Sequence, residues 1–356
     1  MRSSLLDGQL DYVQEKGGPG TVRARLSQLR VDKKGSDESK APATEEDSNE
    51  QPRRLPALDI VVDDLRWHGH SVGRLDLQAS NRSQGAQSWW HLQQMVLSND
   101  AASLQASGDW GAVQTGAVQA GAAYAAAVGP TTQGARRTQL DMRLDLKDTG
   151  DLLRRLGMAG VVSRGKGVLQ GRIAWTGSPL SPDYTSMDGK LHVDVGQGQF
   201  LKVEPGIAKL LGVLNLQALP RRLTLDFKDI FSAGFGFDFV RGDVDIHDGL
   251  ASTTNLQMKG VTAAVLLEGK VNLRDETQNL HVVVIPELNT TTLSLVTTAI
   301  NPVIGIGSFL AQALFKGQIT QAVTQQFEVS GSWADPEVRR IQRAAAADKQ
   351  AAEPSH

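Results

Sequence analysis

The residues best suited to chemistry are few and scattered. Seven histidines stand at positions 68, 70, 91, 192, 247, 281 and 356, and there is no cysteine. His68 and His70 alternate onto one face of a strand beside Trp67, the spacing of a metal pair, but no third ligand lies near them in the chain. Asp243, Asp245 and Asp248 precede Gly249 and faintly resemble a calcium loop. Val244 and Ile246 between them fit a strand entering an Asp-Gly hairpin better, and the bidentate glutamate is missing. Gly234-Phe235-Gly236 has a phosphate-loop spacing, yet Phe237, Phe239 and Val240 continue it as a strand and not as a helix. No P-loop, Gly-x-Ser-x-Gly elbow or His-Glu-x-x-His is present. Catalytic residues, metal ligands and cofactors are therefore all assigned as none.

Composition points the same way. The 37 Lys+Arg against 39 Asp+Glu leave a net charge of −2, without the basic excess that a nucleic-acid partner calls for. The missing cysteines remove disulfide scaffolds, thiol nucleophiles and Cys-ligated metals together. Aromatics are only 5% of 356 residues, while 36 are glycine. Such a chain reads as a long sheet before it reads as an enzyme.

Period-two patterning dominates. Leu140, Met142, Leu144 and Leu146 alternate with Asp141, Arg143, Asp145 and Lys147, so one strand face is aliphatic and the other charged. The same alternation runs through Leu191, Val193 and Val195; Val244 and Ile246; Leu250 through Met258; and Leu280, Val282 and Val284. Asp188-Gly189, Asp248-Gly249, Lys259-Gly260 and Glu268-Gly269-Lys270 separate these runs as turns. About fourteen strands result, mostly joined by hairpins, which predicts a mainly β, mostly antiparallel meander. Trp110, Trp175 and Trp333 each stand near a glycine at a strand end, too irregularly for a propeller or solenoid.

The strands fall into segments. Residues 1–31 carry two strands, Gly8–Gln14 and Thr21–Val31, without any capping element before them. Neither a signal peptide nor an anchor is readable there, which taken literally means a cytoplasmic protein. A chain starting in mid-sheet instead suggests the distal part of a longer one; a short native terminus is the other reading. Residues 32–54 hold no large apolar side chain and carry six acids within Asp37–Glu50, the composition of a disordered loop. Residues 55–110 form a further sheet segment, and 111–137, with nine alanines and five glycines, read as a flexible insertion. Residues 138–335 carry most of the strands, with helices near 149–156, 206–219 and 291–315. The polar tail, 336–356, has room for a short helix over Pro336–Ala347.

Thr290–Phe315 runs 26 residues without a charge, long enough for a bilayer. Asn301-Pro302 divides it, so two short apolar helices, Thr291–Ile300 and Val303–Phe315, are expected. They either pack on the sheet or touch a membrane surface; for the latter, Val303, Ile304, Phe309, Leu310, Leu314 and Phe315 are the candidates.

Gly196–Gly260 is the informative stretch. Gly198-Gln199-Phe200-Leu201, Glu204-Pro205-Gly206, Leu210-Leu211-Gly212, Leu219-Pro220-Arg221-Arg222-Leu223, Leu225-Asp226-Phe227 and Phe235-Gly236-Phe237-Asp238 closely resemble the carboxy-terminal region of the YhdP branch of the AsmA-like family of Gram-negative envelope proteins. Gly189-Lys190-Leu191, Val284–Pro286, Asn301-Pro302 and Gly331-Ser332-Trp333 extend the likeness, which is strong over Thr138–Arg340 and looser over Leu55–Trp110. The resemblance implies a long, strongly curved sheet forming an open groove, a β-taco, with an apolar inner face. It further implies a periplasmic protein held in the inner membrane by an amino-terminal segment absent from this chain, moving phospholipid toward the outer membrane. Phospholipid acyl chains, a membrane surface at the carboxy-terminal end and the missing amino-terminal part are the implied partners, with no enzyme activity. The expected acyl lining is Leu140, Met142, Leu144, Leu146, Leu191, Val193, Val195, Val244, Ile246, Leu280, Val282 and Val284. An assembly factor holding nascent strands of outer-membrane proteins, or a purely structural β-sandwich, are the alternatives.

Overall fold

A computed structural model of the protein describes residues 6–14, 20–31, 55–67, 69–84, 87–112, 136–201, 235–260, 263–286, 305–315 and 324–341. The strands are β1 (Leu6–Val13), β2 (Thr21–Val31), β3 (Ala57–Trp67), β4 (His70–Gln84), β5 (Gln87–Ser98), β6 (Ala102–Ala112), β7 (Arg136–Leu146) and β8 (Val162–Thr176). They continue as β9 (Asp188–Phe200), β10 (Phe235–His247), β11 (Leu250–Gly260), β12 (Ala263–Asn272), β13 (Thr277–Pro286), β14 (Gln325–Ser332) and β15 (Pro336–Arg340). Among the described residues two helices accompany them, α1 (Thr149–Arg155) and α2 (Gly305–Phe315), with a short 3-10 turn at Tyr184–Ser186.

All fifteen strands lie in one sheet in strict chain order. Every neighbouring pair is antiparallel except β2 and β3, which run parallel. The expected meander is thus the observed fold, and it is a single open sheet, not a sandwich. Residues 32–54, which join the parallel pair, and the expected helix at 206–219 lie outside the described residues, as do 113–135 of the alanine-rich insertion. The strands on either side of that insertion run two residues into it, through Ala112 and from Arg136.

Two expectations are corrected. Of the segments read as turns, Asp188-Gly189 opens β9 and Glu268-Gly269-Lys270 lies inside β12, because ladder pairing on both sides outweighs the local turn preference of glycine. Pro336–Arg340 is a strand, not the start of a helix: Pro336, Val338 and Arg340 pair with Gly331, Val329 and Phe327 at the sheet edge. A three-residue turn after Ser332 brings this segment beside β14, and the ladder outweighs a modest helical preference.

Pairing fixes which side chains share a face, because directly opposed residues point the same way. From β2 to β9 one row reads Leu26, Val62, Leu75, Leu97, Leu104, Leu144, Leu169 and Val193. A second row, from β6 to β13, reads Ala102, Leu146, Gly167, Val195, Val240, Met258, Val265 and Val284. The opposite face carries Gln105, Arg143, Gln170, His192 and Asp243 in one row and Asp141, Arg172, Lys190 and Asp245 in the next. One face of the sheet is mainly aliphatic from β2 to β13, and the other is mostly polar and charged.

Register shifts keep this sorting intact. Between Thr253 and Leu256 an irregularity lets Ala251, Thr253, Leu256 and Met258 share the apolar face. Leu250, which simple alternation groups with Leu256 and Met258, therefore falls on the other side and is exposed.

The sheet bends toward the apolar face. Helix α1 touches both β8 and β4, four strands apart, which a flat sheet would hold about 19 Å from each other. Its Leu153 packs with Val162, Val195 and Phe237 of the apolar side. Glycines permit the bending: a Cβ on Gly108 would lie 2.0 Å from the carbonyl oxygen of Gln139, and one on Gly171 2.0 Å from that of Lys190. Replacing Gly171 by valine is expected to destabilise the fold by about 1–3 kcal/mol in urea unfolding. Gly236→Ala, at a site with nothing within 4 Å, should change little. Equal effects of the two substitutions would contradict the close approach at Gly171.

Candidate functional site

The site is a surface, assembled strand by strand. All twelve residues expected to line it share the apolar face: Leu140, Met142, Leu144 and Leu146 on β7; Leu191, Val193 and Val195 on β9; Val244 and Ile246 on β10; and Leu280, Val282 and Val284 on β13. Val195, Ile246 and Val284 are buried, and the other nine are half-buried. They group into apolar clusters along the face, such as Trp175, Met187 and Ile246 with Leu140, Ile173 and Leu191. Another joins Ala79, Trp90 and Leu92 to Leu58, Leu77 and Met95.

The apolar face extends beyond these twelve residues. Ile60 and Val62 on β3, Leu75 and Leu77 on β4, Leu97 on β5, Leu169 on β8, Val265 and Leu267 on β12 and Phe327 on β14 belong to the same face. Their alternation is visible in the chain, as in Leu75-Asp76-Leu77-Gln78-Ala79. In β8 and β12 it is obscured, because Val168-Leu169 and Val265-Leu266-Leu267 put apolar residues on both faces.

Helix α2 sits on the opposite, polar face. Gly305 lies beside Thr254 and Glu268, and Ile306 is fully buried. In the same region Leu266, Val283 and Ile285 are buried on the otherwise polar side. Of the residues expected at a membrane, Phe309 is half-buried, Leu310, Leu314 and Phe315 belong to α2, and Val303 and Ile304 lie outside the described residues. Among those residues no helix is long and apolar enough to cross a membrane.

The charged face is held by cross-strand pairs: Arg25–Asp59 at 2.8 Å, Arg172–Asp141 at 2.7 Å and Lys190–Asp245 at 2.9 Å. The acids singled out as a faint calcium loop are used this way. Asp243 bonds His192 Nδ1 at 2.8 Å and accepts from Asn255 Nδ2 at 2.7 Å, while Asp248 occupies the hairpin turn. Asp188, His247 and Asp248 converge, but Arg137 also donates to Asp188, so this trio is already a charge network. The His68–His70 pair cannot be placed, since His68 is outside the described residues.

A family model described as "YhdP protein" matches residues 1–338. The chain belongs to the YhdP family. The protein named "Intermembrane phospholipid transporter YhdP" of Escherichia coli (strain K12) is 31% identical over 170 residues. That match covers 48% of this YhdP-family chain and 13% of the relative, so the chain spans only a small part of that protein's length. No solved structure matches.

The charge network has a pH signature. Burial pushes the Asp188 carboxyl up, but bonds from Arg137, the Asp248 N–H and His247 outweigh it and hold the group below the usual carboxylate range. A depressed folded value means the stabilisation is fully present above the unfolded value of about 3.9 and is lost as pH falls through the folded one. The Tm gap between wild type and Asp188→Asn should therefore be widest at neutral pH and narrow below about pH 4. A gap constant down to pH 3 would contradict the network.

Proposed function

We propose that the chain is a non-enzymatic segment of an envelope phospholipid transporter, with acyl chains lying against its apolar face. The observation that supports this best is the unbroken aliphatic face linked by register across the sheet. A soluble sheet with one such face must cover it, and the described helices are too short to do so. Burying a methylene is worth roughly 0.8 kcal/mol, so a chain of about sixteen carbons gains on the order of 10 kcal/mol if fully covered. Aliphatic walls give this without directional bonds, which suits a cargo that must slide.

Transport of this kind needs no nucleophile, general base or metal, in keeping with chemistry-bearing residues committed to cross-strand pairs. The relative's printed name, intermembrane phospholipid transporter, supports the same reading, with the periplasm as the compartment and phospholipid as the partner. The remaining length of the transporter would supply the membrane anchor and the rest of the path. Fifteen strands at about 4.8 Å give a groove about 70 Å along, a section of such a path.

Native mass spectrometry of the purified chain tests the reading. Wild-type protein should carry phospholipid, and Met142→Asp or Val193→Asp should reduce the bound fraction at least tenfold while strand content persists by circular dichroism. Gln139→Asp, on the charged face, should leave it unchanged. Lipid-free wild type, or equal lipid in all variants, would overturn the proposal.

A further inference from the structure

Near the start of β8 the ladder lapses for one position without a change of register. Pairing runs Arg164 to Gly198 and Lys166 to Gly196, then Gly198 to Phe237 and Gly196 to Phe239. Gly165, Gln197 and Asp238 are passed over in three successive strands. Arg164 and Gln197 take φ values of 59° and 56°, a left-handed conformation that side-chain-bearing residues adopt at a cost. The interruption opens a cavity of about 500 Å³.

The cavity gathers three cations within one concavity. Lys147, Arg164 and Lys166 line it together with Asp148 and Asp238. Both acids are engaged elsewhere: Asp148 Oδ1 accepts the Asp151 N–H at 2.9 Å, and Asp238 Oδ2 receives Lys259 Nζ at 3.0 Å. None of the three cations forms an ion pair among the described residues, whereas Arg25, Arg172 and Lys190 on the charged face each have an aspartate. Like charges gathered in one concavity create a positive potential suited to an anion. Phe237, another part of the wall, packs with Val162, Val195 and Phe235 in the apolar cluster. The cationic cavity and the apolar face thus share a side chain.

We infer that this cavity binds the phosphate of a phospholipid whose acyl chains lie on the adjoining apolar face. The inference rests on the acyl-chain reading above and adds the headgroup. Arg164 offers a planar fork for two phosphate oxygens, and Lys147 and Lys166 supply point charges. A neutral glycerol headgroup would bring no negative charge to a wall in which three cations face two acids.

The test compares phosphatidylglycerol with diacylglycerol of the same acyl chains, using the full chain and native mass spectrometry. Wild type should retain phosphatidylglycerol about tenfold better, the discrimination expected of charge-assisted bonds. In Lys147→Gln/Arg164→Gln/Lys166→Gln the two lipids should bind equally, with diacylglycerol at its wild-type level. Glutamine is a fair substitute at 164, since Gln197 already holds the same backbone conformation. Arg23→Gln/Arg82→Gln/Lys270→Gln removes as much charge from exposed positions elsewhere and should keep the preference. Equal retention by wild type, or loss of preference in both triple variants, would overturn the headgroup site while leaving the groove standing. Failure of both lipids to bind wild type would overturn the groove reading and this inference together. Inorganic phosphate should displace the preference only in large excess; phosphate that binds more tightly than the lipid would assign the cavity to a free anion and overturn the lipid.

Discussion

Everything in this molecule depends on register. Side chains alternate along a strand, so a one-residue slip at any pairing would send aliphatic residues from one face to the other. Across the eleven consecutive pairings from β2 to β13 no such reversal occurs in the two aliphatic rows. Where a strand takes an extra residue, its neighbour compensates: the pairings of β2 with β1 and of β3 with β4 both shift near Leu26 and Val62, and Leu29 and Leu65 return to the apolar side. The charged partners on the other face reinforce the alignment, because Arg172–Asp141 and Lys190–Asp245 are satisfied in one register only. Exposed pairs of this kind stabilise by less than about 1 kcal/mol each, so their role lies in choosing the alignment more than in holding the sheet.

Curvature follows from what the apolar face lacks. Gly108, Gly167 and Gly171 stand in its rows without side chains, and the neighbouring backbones close over them. A face with gaps on one side and long charged side chains on the other bends toward the gaps. Helix α1 occupies the inside of that bend at one end, capped by Asp148 and tied by Asp151 to Arg154 and Arg155. The result is a trough with an aliphatic floor and a wet exterior, the division that a two-tailed lipid with a polar head requires.

Much of this was legible in the chain. The alternation in Leu140–Leu146 and Leu280–Val284 identified both the strands and their shared face, because burial on one side leaves a period of two in the residues themselves. Asp248-Gly249 marked a turn for the same local reason, whereas Asp188-Gly189, which reads alike in the chain, opens strand β9. Less legible were features decided between strands. The parallel pairing of β2 with β3 depends on where a long connection returns, and the side taken by Leu250 depends on an irregularity against a neighbouring strand. The cationic cavity was hidden for a related cause: Lys147, Arg164 and Lys166 read as ordinary polar positions until three strands are set side by side. The family resemblance supplied the expectation of a groove and of an acyl-chain cargo, which alternation by itself could not.

The central claim is that lipid lies on one face of this sheet and not the other. A photo-crosslinking amino acid placed at Leu169 and, separately, at the next residue, Gln170, tests it directly, since these two point to opposite faces of β8. With phospholipid present during irradiation, the probe at Leu169 should yield a lipid adduct and the probe at Gln170 should not. Adducts of equal yield at both positions, or at Gln170 alone, would contradict the account.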